Sequence, residues 1–146
     1  MLKKIALTTG FIASLSMVGC ATMDNPATNK NLNLLQNKDW VVTQINQVDY
    51  APENTQTLAS LKFGDSALSG SDGCNRIMGG YAVQGNKIKF SSLATTQMMC
   101  MDTVDLPEKF NTALNQVKSF AVNKSQLKLL DKEGKVVLKF RTQTNE

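Results

Sequence analysis

From Leu34 onward, apolar and polar residues alternate mostly with a period of two, as half-buried strands require. The pattern predicts strands over residues 40–45, 58–63 and 67–71, the last ending at the Asp72-Gly73 turn signal. Residues 80–83 and 87–90 flank Gln84-Gly85-Asn86 as the arms of a hairpin. In the second arm Ile88 and Phe90 alternate with Lys87 and Lys89, so one face is wet. Residues 119–122, 126–130 and 136–141 form a meander that turns at Asn123-Lys124-Ser125 and Lys132-Glu133-Gly134. One segment departs from this rhythm. Leu106, Phe110, Leu114 and Val117 share a helical face, with Ala113 beside them. Pro107 falls in the first turn, where its missing N–H costs nothing, and the Asp105-to-Glu108 spacing resembles a capping box. The expected fold is mainly β (α+β). It has about eight short, mostly antiparallel strands in a partly closed barrel-like sheet, with one late helix that plugs or flanks it.

The first residues follow another logic. Met1-Leu2-Lys3-Lys4 is short and basic, and residues 5–18 are mostly apolar but interrupted by Gly10 and several Ser and Thr. That stretch is too short for a membrane-spanning helix and has the form of an export leader. It ends in Ser16-Met17-Val18-Gly19-Cys20, which resembles a lipobox with Met17 where Leu is usual. Residues 1–19 are therefore read as a lipoprotein signal peptide, cut before an acylated Cys20; the alternative is an ordinary leader that happens to end near a cysteine. Each buried acyl methylene contributes about 0.8 kcal/mol, and two or more chains suffice for stable anchoring. Ala21 stands where an Asp would resemble an inner-membrane retention signal, which points to the outer membrane and its periplasmic face. Residues 20–33 are polar, carry Pro26, and read as a lipidated flexible tether. The domain is expected over residues 34–141, with 142–146 a polar tail.

Charge and composition then exclude whole classes. Loss of Lys3 and Lys4 with the leader leaves 14 basic against 12 acidic residues, too even a balance for a nucleic-acid binder. There is no histidine. That removes the usual general base, the Ser-His and Cys-His nucleophile pairs, and the commonest metal ligand. Asp72, Asp102, Asp105 and Glu108 are the carboxylates a hydrolase would need, but Asp72 has a turn role and Asp105 and Glu108 a capping role. The glycine-rich run from Gly70 to Gly80 lacks the Gly-Lys-Ser/Thr ending of a phosphate loop. The expectation is a protein that is not an enzyme and needs no cofactor.

With Cys20 acylated, Cys74 and Cys100 remain. An even pair in an oxidising compartment favours a disulfide, which would contribute roughly 3 to 4 kcal/mol on the chain-entropy model; two buried thiols are the alternative. Met78, Met98, Met99 and Met101 lie near these cysteines in sequence. Soft thioethers and thiolates select Cu(I), so copper handling is a second reading; the blander one has the methionines filling gaps in the core.

The segments around the cysteines carry a family resemblance. Gly70-Ser71-Asp72-Gly73-Cys74-Asn75-Arg76, then Gly79-Gly80-Tyr81, then Leu93-Ala94-Thr95-Thr96-Gln97-Met98-Met99-Cys100, together with Trp40 and Glu108-Lys109-Phe110, resemble the META domain, the family of the HslJ-like heat-inducible lipoproteins. The resemblance implies a small mainly-β fold with a helix, an envelope location and links to stress or drug tolerance, and no established catalysis. The motif residues Gly73, Asn75, Arg76, Gly80, Tyr81 and Thr96 have structural explanations. Gly73 and Gly80 supply backbone freedom or close approach, Asn75 caps a turn, and Thr96 and Arg76 act similarly at longer range. The function expected is a non-catalytic binding or envelope-stress protein, held to the membrane by its acyl chains. Its partner would be an envelope protein or a small hydrophobic ligand. A periplasmic inhibitor of a lytic enzyme is a further alternative, disfavoured because lysozymes are usually basic and this chain is slightly basic too.

Overall fold

The computed structural model describes residues 26–50, 58–100 and 105–143. The expected leader, Cys20 and residues 20–25 of the tether lie outside them, as do Met101 and Asp102. The chain runs α1 (Pro26–Leu35), β1 (Asp39–Ile45), β2 (Val48–Asp49), β3 (Ala59–Phe63), β4 (Ala67–Asp72), β5 (Arg76–Gln84), β6 (Lys87–Thr95), α2 (Leu106–Gln116), β7 (Ser119–Val122), β8 (Gln126–Leu130) and β9 (Val136–Thr142). The strands form one nine-stranded antiparallel sheet in the order β2-β1-β3-β4-β5-β6-β7-β8-β9, and β1 also pairs with β9 to bring the sheet round into a ring. The mainly-β, barrel-like fold with a late helix is what the alternation predicts.

Alternation also places the core. Trp40, Leu61, Leu68, Ile77, Ile88, Phe120, Leu127 and Phe140 are all buried, drawn from strands right round the ring. Removing a side chain of this size from water contributes about 1.5–3 kcal/mol. Helix α2 closes the core by packing on β9, β4 and β1. Its Leu106, Phe110, Ala113 and Leu114 are buried, and Phe110 meets Phe140 edge to face at 6.2 Å.

Four expectations need correction. The first concerns the tether, because residues 26–33 belong to α1. Polar composition suggested a flexible chain, but Pro26 opens the first turn, Leu32 and Leu35 reach the core, and two polar side chains are used. Thr28 Oγ1 accepts the Gly85 N–H at 2.8 Å, and Asn31 Nδ2 donates to the Gly85 carbonyl at 3.1 Å, fastening the helix to the β5–β6 turn. Tertiary contact outweighs weak local propensity here. The second is the capping box. Asp105 has helical φ and ψ, which turns its carboxylate away from the helix N–H groups, and it makes no cap bond. It lies instead 3.6 Å from Lys109. The third is β2, formed because Asn46 and Gln47 both take positive φ (48° and 68°) and turn β1 back on itself. A glycine, the usual signal for that turn, is missing. The fourth is the tail, since β9 runs through Thr142 and the Gln143 N–H bonds the Asp39 carbonyl at 3.1 Å.

Candidate functional site

Strand β4 ends on Asp72, whose carboxylate is buried without exposed surface. A buried carboxylate must be fully hydrogen-bonded, and this one is. Its oxygens accept the N–H groups of Cys74 (3.0 Å) and Asn75 (2.6 Å), the Asn75 amide (3.3 Å) and Asn111 Nδ2 of α2 (2.7 Å). Gly73, with φ of 96°, makes the reversal that aims those N–H groups at it. Asn75 then reaches across to the segment after β6, its Oδ1 accepting the Met98 N–H at 2.7 Å. Thr96 Oγ1 accepts the Arg76 N–H at 3.0 Å, and the Thr96 N–H returns to the Arg76 carbonyl at 3.1 Å. Cys74 and Cys100 stand at disulfide-bonding distance, their Cα atoms 5.9 Å apart. The structure thus brings Gly73, Asn75, Arg76, Thr96 and both cysteines together in one clasp between the β4–β5 turn and the end of β6. Arg76 contributes main chain to it, and its residue is exposed. Sequence reading gave Asp72 only a local turn and overlooked Asn111, whose sole signal is its place beside Phe110 on the helix.

Gly80 and Tyr81 lie elsewhere in the motif's geometry. Gly80 sits where β5 shifts register against β6, and a Cβ there would come within 2.8 Å of Ser91 Oγ. The next nearest atom is the Ser66 carbonyl oxygen at 3.5 Å, so only the Ser91 hydroxyl would have to turn aside, and Gly80 has no positive φ. Tyr81 is buried edge-on to Phe63 at 5.1 Å. Its hydroxyl donates to the Gly64 carbonyl and accepts Gln36 Nε2 at 2.7 Å, so it ties the end of α1 to the β3–β4 turn. Burial pushes the Tyr81 hydroxyl above its ordinary pKa, the Gln36 bond opposes that shift, and nearby Asp65 adds to it.

The ring is weakest between β6 and β7. Only Lys87 and Ser119 pair there, with Ile88 N–H to the Lys118 carbonyl (3.1 Å) and Phe120 N–H to the Asn86 carbonyl (2.9 Å) as the last bonds. Strand β6 runs on to Thr95 paired on the β5 side. The breach opens a groove of about 800 Å³ between β5–β6 and the end of α2. Val83, Ile88, Phe90, Leu93, Leu114 and Val117 supply apolar lining, with Lys87, Lys89 and Lys118 at its rim. A groove of this size and mixed lining fits the dimensions of ligand sites. Nothing in the sequence pattern marked it, because it arises where pairing stops.

Of the methionines near the cysteines, the three that the structure describes are not core filler. Met78, Met98 and Met99 are 57%, 62% and 94% exposed. Their neighbours explain why: Met78 points outward from the alternation of β5, and Met98 is held by its main chain to Asn75. Among the described residues no three His, Cys, Asp or Glu side chains converge as a metal site, and no helix is long and apolar enough to cross a membrane.

The sequence profile of the META domain matches residues 33–144. A protein structure solved by NMR is 26% identical and superimposes with a TM-score of 0.60, covering 75% of this chain and 92% of its own. An NMR structure of a protein from Burkholderia xenovorans is similar at a TM-score of 0.61, covering 97% of this chain and 100% of its own; at 24% identity that likeness is one of fold. No curated protein matches the chain.

Proposed function

The chain belongs to the META domain family, and from that premise we propose that it is a lipid-anchored protein of the outer membrane, facing the periplasm, whose domain binds a partner segment without chemical turnover. The family supports an envelope-associated role. The Gly19-Cys20 junction after a short apolar leader supports the anchor. The observation that carries the binding reading is the groove at the β6–β7 breach, an apolar trough with a lysine rim in a sheet that is otherwise closed. Its lining offers no nucleophile-and-base pair: Ser92 is its hydroxyl, and the chain has no histidine to activate it. The buried Asp72 is engaged by four donors and serves the clasp.

Crosslinking of intact cells with formaldehyde, followed by affinity recovery of the wild type and of Leu93→Glu, tests this reading. An adduct with an envelope protein that disappears in the variant is the expected result. Adducts that are the same in both contradict it.

Copper handling keeps one observation in its favour, the exposure of Met78, Met98 and Met99. Thioethers alone are the available soft donors once Cys74 and Cys100 are joined. Stoichiometric Cu(I) binding by the purified protein, lost on replacing Met98 and Met99, would establish that reading in place of the first.

A further inference from the structure

Antiparallel pairing puts the N–H and C=O of one residue on the same side of a strand, and of the next residue on the other. In β6 the Ile88 N–H faces β7 and bonds Lys118. By the period of two, the Ile88 carbonyl and both main-chain groups of Phe90 face the same way, past the point where pairing with β7 has ended. Lys89 and Ser91 face β5, where they oppose Ala82 and Gly80. Ser92, with φ of 50°, then kinks the strand and ends its flat part. The groove therefore has a short, straight strand edge as one wall and the end of α2, at Leu114, Asn115 and Val117, as the other.

Such an edge recruits another strand unless something deters it. Here the deterrent is selective. Lys87 and Lys89 project from the exposed face of β6 and Lys118 stands opposite, while no Asp or Glu lines the groove. A second copy of the chain adding through its own β6 would set these lysines against each other, which like-charge pairing opposes. An acidic chain has the reverse relation to them. Extended peptides that add to a sheet edge take affinity from main-chain bonds and specificity from alternate side chains. The half-buried Phe90 and Leu93 and the buried Ile88 and Val117 suit apolar residues on one face of such a chain.

We propose that β6 accepts an extended protein segment, alternating acidic and apolar residues, as an added antiparallel strand bonded to Ile88 and Phe90, with its carboxylates at Lys87, Lys89 and Lys118. This deepens and rests on the reading of the groove as the working surface. A lipid would use the same apolar floor and lysines but would leave the Phe90 main chain unpaired.

Hydrogen exchange of the full-length protein in detergent, read residue by residue by NMR, distinguishes these. The probes are a ten-residue peptide alternating Glu and Val, its Lys-Val counterpart, and phosphatidylglycerol added to the micelles. The Glu-Val peptide slows exchange at Phe90 by about tenfold when its concentration is about ten times that for half-saturation. The Lys-Val peptide has no such effect, and K87E/K89E, two changes on the wet face, reverses the preference. Shifts at Leu114 and Val117 without protection of Phe90 overturn strand addition while leaving the groove as a binding surface. Equal protection by both peptides overturns the acidic assignment. Protection by phosphatidylglycerol alone overturns the proposal in favour of lipid, and no response to any probe overturns it outright.

Discussion

Asn111 of α2 donates its side-chain amide to the buried carboxylate of Asp72 at 2.7 Å, so the one late helix is hydrogen-bonded to the turn that carries the cysteine motif. Breaking this bond leaves a buried acceptor short of a partner, which costs about 1–3 kcal/mol. Asn111→Ala should lower the free energy of unfolding by that amount, read as a lower urea midpoint with an unchanged slope. Asp72→Asn should cost as much or more, because its amide oxygen can replace only one carboxylate oxygen: an NH2 in place of Oδ2 would face the amide donors of Asn75 and Asn111. A double variant less damaging than the sum of the singles confirms the coupling.

Tyr81 predicts how stability responds to alkali. Its pKa in the folded protein lies above the ordinary value of 10.0. Between those two values the unfolded chain has released the proton and the folded one has kept it, so stability must fall as pH rises. Below the unfolded value the contribution is complete. Denaturant titrations from pH 8 to 11.5 should show the loss beginning near pH 10 and absent in Tyr81→Phe, which should itself be about 1–3 kcal/mol less stable through the lost bonds to Gln36 and Gly64.

The clasp was legible in the sequence as residue types but not as a network. The alternation located eight strands, because burial of one face leaves that mark whatever the partner strand. It cut β5 short at its start (residue 80 instead of Arg76) and β6 at its end (residue 90 instead of Thr95), where the burial pattern is less regular. The pairing of Cys74 with Cys100 followed from their even count. What composition concealed was mediated by contact: α1 is polar and becomes helical through Gly85 and the core, and Asp72 looks like any turn aspartate until Asn111 arrives from 39 residues away. The groove has no residue signature because it is an interruption of pairing. Exposure of Met78, Met98 and Met99 went against expectation because methionine was read by its usual preference, whereas main-chain anchoring and strand phase decide these positions.

The Cys74–Cys100 bridge closes a segment with a sequence separation of 26. Cys100→Ser should lower stability by roughly 3 to 4 kcal/mol on the chain-entropy model. Alkylation and intact mass should find no free thiol at either position in exported, unreduced protein; two alkylated cysteines would refute the bridge.

Anchoring depends on Cys20. Cells expressing the full chain should incorporate labelled palmitate into it and retain it in the outer-membrane fraction, and Cys20→Ala should abolish both. Wild-type protein that takes no label and is recovered in soluble form would remove the anchor from the account.

The claim that the β6–β7 groove is the working surface is tested most directly by a photoreactive residue at position 93, inside the groove, compared with one at position 48, on the exposed strand β2. Illumination of intact cells should give a discrete protein adduct from position 93 and none from position 48. An adduct from position 48 with none from position 93 would contradict the account.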